Sequence, residues 1–263
     1  MGDSLMSTEV LLTRPAPHVA LVTLNRPARL NALNATVLRE LLEVTRVLDR
    51  DPEVRAWILT GSSRPDRRPA FSAGVDLHEA RDDSSETVLR LGRELTDFID
   101  DMLTPSIAAI DGICTTGGAE LAVACDMRIV GSSAQISDWH LKNLGSGMGG
   151  WGASTRWPRL VGVAKAKELF LTGRAIDAAE AERIGFANLI CDSADLVALT
   201  IATASAIAAM DPVGVQVTLA HFNHTRDMSR AEAMHWTTTM ERWLGRPVDM
   251  SDRAAAFLER RLG

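Results

Sequence analysis

Three cysteines in 263 residues, Cys114, Cys125 and Cys191, show neither paired nor C-x-x-C spacing, so a disulfide framework and a zinc site are both excluded. A reducing, cytoplasmic setting is expected. No apolar run reaches the roughly 20 residues that a membrane-spanning helix requires, and the opening MGDSLMSTEV lacks the charged-then-apolar order of a signal peptide. Met6 stands where myristoylation after Gly2 would need Ser or Thr. Nor is there an excess of positive charge. Lys and Arg number 28 against 34 Asp and Glu, giving −6 with both signs interspersed. That excludes a nucleic acid held through its phosphates, and no membrane partner is expected either.

Sequence signatures of common enzymes are missing too. No G-x-S-x-G of a serine hydrolase occurs. His221, His224 and His235 match no zinc spacing and read as surface or packing residues, so no metal is expected. Gly145, Gly147 and Gly150 spell G-x-G-x-x-G, but the nearest acidic residue in range, Glu168, falls inside a predicted helix rather than at a strand end. A dinucleotide site is not expected there.

What is present is the composition of a globular protein, 46% hydrophobic and 24% charged, in a chain long enough to bury a sizeable core. His18–Leu24 and Val54–Thr60 read as strands. Between them Val37, Leu38, Leu41, Leu42, Thr45 and Leu48 mark one helix face behind Asn34 as N-cap. Further helices are expected over 85–103, 163–171, 177–184, 194–210, 211–222, 229–244 and 251–262. The segment from Gln135 to Leu141 reads as extended. Strands alternating with helices and then helices alone give an α/β core, residues 1–195, and a helical region, residues 196–263.

The chain is organised around Ser106 to Leu121, SIAAIDGICTTGGAEL. An apolar strand is followed by a glycine turn and a helix start, where unpaired N–H groups and the positive end of the dipole favour an anion. Glu120 lies in the first helical turn, placed to exchange protons with a ligand held there; a plain acidic helix start fits the same residues. Phe71-Ser72-Ala73-Gly74 repeats the arrangement after another strand. Two such turns could aim N–H groups at one oxygen, as stabilisation of an oxyanion from a carbonyl or thioester requires.

These segments, with LNRPARLNALN (24–34), IAAIDGICTTGGAELAVACDMRIV (107–130), LTGRAIDAAEAERIGFAN (171–188) and AAFLERR (255–261), resemble the crotonase, or enoyl-CoA hydratase/isomerase, superfamily over nearly the whole chain. The resemblance implies a spiral of ββα units with a C-terminal helical region that mediates trimers, often paired into hexamers. It implies an acyl-CoA substrate, the coenzyme A being carried as part of the substrate with no separate cofactor. Ala73 and Gly117 match the oxyanion donors, and Glu120 the first of two catalytic glutamates. Ala28, Arg29 and Leu30, with Ala73, Gly74, Val75, Asp76 and Leu77, match the segments lining the coenzyme A groove.

One departure stands out. The second hydratase glutamate would fall on His140, and no Glu occurs from Leu121 to Lys167. The stretch DWHLKNLGSGMGGWGAS is about two residues longer than the hydratase pattern. It is similar to the corresponding loop of dihydroxynaphthoyl-CoA synthases and aryl-CoA dehalogenases, but lacks their aspartate near Gly147 or Met148. Asp138 and His140 are the remaining titratable candidates; if the strand persists, both face one side. The expectation is a 2-enoyl-CoA hydratase in which His140 or Asp138 takes the second role. The alternatives are an isomerase or other enolate chemistry, such as hydrolysis or decarboxylation, or a non-catalytic acyl-CoA binding subunit.

Overall fold

The computed structural model describes residues 8–63, 68–78 and 85–243. Nine strands are described, β1 (Val10–Ala16), β2 (Val19–Leu24), β3 (Ala56–Gly61), β4 (Ala70–Ser72), β5 (Ser106–Ile110), β6 (Ile113–Thr115), β7 (Met127–Gly131), β8 (Gln135–Ser137) and β9 (Leu189–Cys191). Six of them form one sheet in the order β1-β2-β3-β5-β7-β9, and the others a second in the order β4-β6-β8. Apart from the β1–β2 hairpin, every pairing between these strands is parallel.

The order of elements is a repeated ββα unit. β3 and β4 precede helix α2 (Ser85–Asp101), β5 and β6 precede α3 (Gly117–Ala124), and β7 and β8 precede α4 (His140–Leu144). Each unit gives one strand to the large sheet and one to the small, then a helix. This is the spiral implied by the resemblance.

The large sheet is buried on both faces, which is why its central strands are nearly continuous apolar runs. Side chains alternate along β3 and β5. Ile58, Ile107 and Ala109 enter a core cluster with Leu196, Ala204 and Ala208 of α8 (Leu196–Ala208). Trp57, Leu59, Ala108 and Ile110 enter the main core with the apolar face of α1 (Ala35–Arg50). Asn34 caps α1 as expected, accepting from the Val37 N–H at 2.8 Å.

Because α8 packs on the sheet, the compact unit holding it runs through Gln216, beyond the expected boundary at 195. A second unit begins at Val217. Within it α10 (Arg230–Trp243) starts with a reciprocal cap. The Glu232 N–H donates to Ser229 Oγ, and the Ser229 N–H to Glu232 Oε2. His224 lies against Trp236, ring centroids 4.4 Å apart. The helix expected over 251–262 and the AAFLERR motif lie outside the described residues. Among the described residues no single helix is long and apolar enough to cross a membrane.

One helix was not expected and one expectation needs correction. Residues 153–161, to which no element was assigned from sequence, form α5 (Ala153–Val161) after the glycine-rich loop, with Pro158 inside it. The extended stretch to Leu141 ends at Ser137, because Asp138 Oδ1 accepts the His140 N–H at 3.1 Å and starts α4. A short acidic side chain that bonds the backbone two residues on competes with the sheet ladder.

Candidate active site

β5 and β6 deliver the chain to α3 through Thr116, whose φ of 48° is a left-handed value that a β-branched residue seldom adopts. Its N–H is held by the Ser137 carbonyl at 3.2 Å. Strain retained at one residue commonly marks a functional turn. Here it sets Gly117 as the first residue of α3, where an N–H has no intrahelical acceptor. The Ala73-Gly74 turn lies directly alongside. A Cβ on Gly74 (φ 85°) would be 2.1 Å from Thr116 Oγ1 and 3.1 Å from the Gly117 nitrogen. The two turns singled out in the sequence therefore meet.

The Ala73 N–H is already engaged, donating to the Leu30 carbonyl at 2.9 Å. Leu30 and Asn31 both have positive φ, 52° and 53°. Asn31 is locked by donating Nδ2 to the Ser62 and Ala70 carbonyls, at 2.9 and 2.7 Å. The groove segments are thus brought together: Leu33 bridges Val75, and the Leu33 N–H donates to the Gly74 carbonyl at 2.8 Å. Ala28 and Arg29 are exposed on a single 3-10 turn, and Leu77 is exposed beyond the bridge. Asp76 differs from these. It is buried, and its carboxylate pairs with Arg26 at 3.1 Å.

Glu120 is 1% exposed on a helix whose every residue is buried. A carboxylate so placed needs partners, and they come from the glycine-rich loop. The N–H groups of Trp151 and Ala153 donate to its Oε1 at 2.8 and 3.1 Å. Gly149 permits this approach, since a Cβ there would lie 2.6 Å from the same oxygen. On the other side Oε2 is 3.5 Å from His140 Nε2, and His140 Nδ1 is 2.8 Å from Asp138 Oδ2.

Asp138 and His140 therefore do converge on Glu120, through a turn and not through strand alternation. Both are buried, at 1% and 9% exposure.

Burial raises the Glu120 pKa from its ordinary value, against the pull of His140 and the two N–H donors. Burial acts oppositely on His140. The hydrogen bond His140 donates to Asp138 and the charges of Asp138 and Glu120 outweigh it, and the imidazole is held more readily protonated than usual. The result is a buried acid and base in contact, next to unpaired helix N-terminal N–H groups.

Trp151 and Ala153 were not identified as site residues from sequence. They lie 31 and 33 positions beyond Glu120, and the run of glycines was the one available signal. Among the described residues no His, Cys, Asp or Glu group is arranged to hold a metal ion.

The family described as enoyl-CoA hydratase/isomerase matches residues 16–262. A probable enoyl-CoA hydratase of Mycobacterium tuberculosis is 35% identical over 97% of both chains. The short-chain-enoyl-CoA hydratase of Clostridium acetobutylicum is 32% identical over 92% of each. The crystal structure of an enoyl-CoA hydratase from Bacillus anthracis superposes with a TM-score of 0.88 at 29% identity, covering 96% of both chains.

Proposed function

The chain belongs to the enoyl-CoA hydratase/isomerase family, and from that premise we propose that it adds water across the double bond of a 2-enoyl-CoA thioester, with Glu120 and His140 as the proton-transfer pair. The observation that carries the reading is the 3.5 Å approach of His140 Nε2 to Glu120 Oε2, with Asp138 on the far imidazole nitrogen. It supplies the second acid/base group that the missing glutamate leaves open.

In this scheme Glu120 takes a proton from water as its oxygen bonds to Cβ. The double-bond electrons move to the thioester oxygen, which the Gly117 N–H stabilises. The Ala73 N–H joins it by sharing or releasing the Leu30 carbonyl. Protonated His140 delivers its proton to Cα and the enolate collapses. The proton held by Glu120 then crosses to His140, which restores both groups. Asp138 keeps the imidazole oriented and supports its charge. Ala28, Arg29 and Leu30 with Ala73 to Leu77 hold the coenzyme A portion, Asp76 by bracing Arg26.

Glu120→Gln tests this. The amide oxygen retains both loop N–H donors, so binding of a saturated acyl-CoA should be nearly unchanged while crotonyl-CoA hydration falls by about 10²–10⁴, the contribution of a positioned acid or base. Failure of the wild-type protein to hydrate crotonyl-CoA or longer 2-enoyl thioesters would overturn the reading.

We further propose a homotrimer or a dimer of trimers in a cytoplasmic setting. Support comes from α9 (Pro212–Thr225), which has no buried residue, and from the exposure of Phe222 and Met234, apolar surface of the kind that marks an interface. A monomer in sedimentation at micromolar concentration would refute the assembly.

A further inference from the structure

Trp151 is 1% exposed, and its indole Nε1 has no hydrogen-bond partner. Its ring lies between two helices that make room for it with glycine. A Cβ on Gly92 of α2 would be 1.9 Å from Cε2, and a Cβ on Gly117 of α3 would be 2.6 Å from Cζ3. The indole therefore fills the gap between α2 and α3. One edge rests against the residue that heads α3, while the Trp151 N–H holds the Glu120 carboxylate.

The backbone that carries the ring is also fixed in place. The Trp151 carbonyl accepts from Thr96 Oγ1 at 2.9 Å and from Arg156 Nη1 at 2.7 Å. The same guanidinium reaches Asp97 at 2.8 Å and Asp100 at 3.2 Å on α2. With its backbone pinned and its buried ring wedged against Gly92 and Gly117, the indole has no room to swing aside when a ligand arrives.

A thioester whose carbonyl meets Gly117 and whose Cα and Cβ meet Glu120 has both anchors of its reacting carbons in contact with Trp151. Its fourth and later carbons start beside the indole. We propose that Trp151 is a specificity-determining residue, its ring closing the α2–α3 gap and restricting the protein to short acyl groups. This rests on the hydration reading for the position of the thioester, and on the two glycine contacts for the wedge.

The test measures dissociation constants of butyryl-, octanoyl- and dodecanoyl-CoA by calorimetry for the wild type, Trp151→Ala and Trp151→Phe. These saturated thioesters report binding without turnover. Each methylene that leaves water for an apolar slot tightens binding about fourfold. The octanoyl-to-butyryl affinity ratio should therefore rise at least about tenfold in Trp151→Ala, and less but in the same direction in Trp151→Phe, which keeps a ring in the gap and guards against loss of folding. An unchanged ratio in both variants overturns the proposal, as does a wild type that binds dodecanoyl-CoA at least as tightly as butyryl-CoA. Rates with crotonyl-CoA and 2-octenoyl-CoA separate the two readings: altered binding ratios with no hydration by the wild type would leave the wedge standing and remove the hydratase.

Discussion

Replacing Asp138 by Asn removes one charge from the buried chain Asp138–His140–Glu120 while keeping its shape. The amide oxygen can still accept the His140 N–H that starts α4, so the turn survives. What changes is the support for a protonated imidazole, because burial alone presses His140 toward its neutral form and the Asp138 carboxylate is the foremost influence opposing it. A hydrogen bond to a charged group contributes about 1.5–3 kcal/mol, which corresponds to about 10- to 150-fold in the population of the acid form.

The sign follows from the roles. Activity requires Glu120 ionised and His140 protonated, so its upper pH limit is set by the raised His140 and its lower limit by the raised Glu120. In Asp138→Asn the upper limit moves to lower pH. The lower limit also moves down, slightly, because the Asp138 charge contributes to raising Glu120. On the alkaline side of the profile kcat/KM for crotonyl-CoA should fall by up to about 10- to 150-fold, and the loss should shrink as the pH falls and the variant also takes up the proton.

Apparent values from such a profile belong to the coupled pair, so the variant-to-wild-type ratio at each pH is the quantity to read. A loss of the same factor at every pH would reduce Asp138 to a loop brace. Unchanged activity would remove His140 from proton transfer.

Two further predictions concern stability. Asp126 accepts the Ser106 N–H and Oγ–H at 2.8 and 2.6 Å, yet burial pushes its carboxyl up to about 6 from 3.8. The folded protein therefore binds the extra proton between those values, and stability is lost as pH rises through them. Relative to Asp126→Asn, the wild type should lose about 1–2 kcal/mol between pH 4 and pH 7, after allowance for partial exposure of the group; a pH-independent difference in urea denaturation refutes this. Gly92→Ala gains about 1 kcal/mol of helix propensity, but its Cβ, 1.9 Å from Trp151 Cε2, overpacks the gap at a cost of about 1–3 kcal/mol. It should destabilise the wild type and stabilise Trp151→Ala by about 1 kcal/mol; the same sign in both thermal denaturations removes the wedge.

How much of this was legible from sequence depended on whether the deciding interaction was local. The cap and apolar face of α1, and the strand, turn and helix around Glu120, are written within a few residues of one another, and both formed where expected. The small sheet was not legible, because β4, β6 and β8 are three residues each, too short for a period to register. The end of β8 was misplaced by four residues because the bond that Asp138 accepts from the His140 N–H outweighed a longer ladder.

The site divided along the same line, with one instructive exception. Which N–H groups hold Glu120 could not be read, since the loop that supplies them returns from 31 residues away. That Glu120 has a titratable partner was anticipated from the family resemblance alone, and the burial of every residue of α3 is the physical reason it needs one. The resemblance placed the second catalytic position on His140, and with no Glu between 121 and 167 the acid and imidazole just after β8 were the candidates for it. A buried charge that loses its partner is strongly destabilising, so the position carried over from the family pattern had to be filled by a group that can pair with Glu120, and the backbone turn that brings it there was not legible.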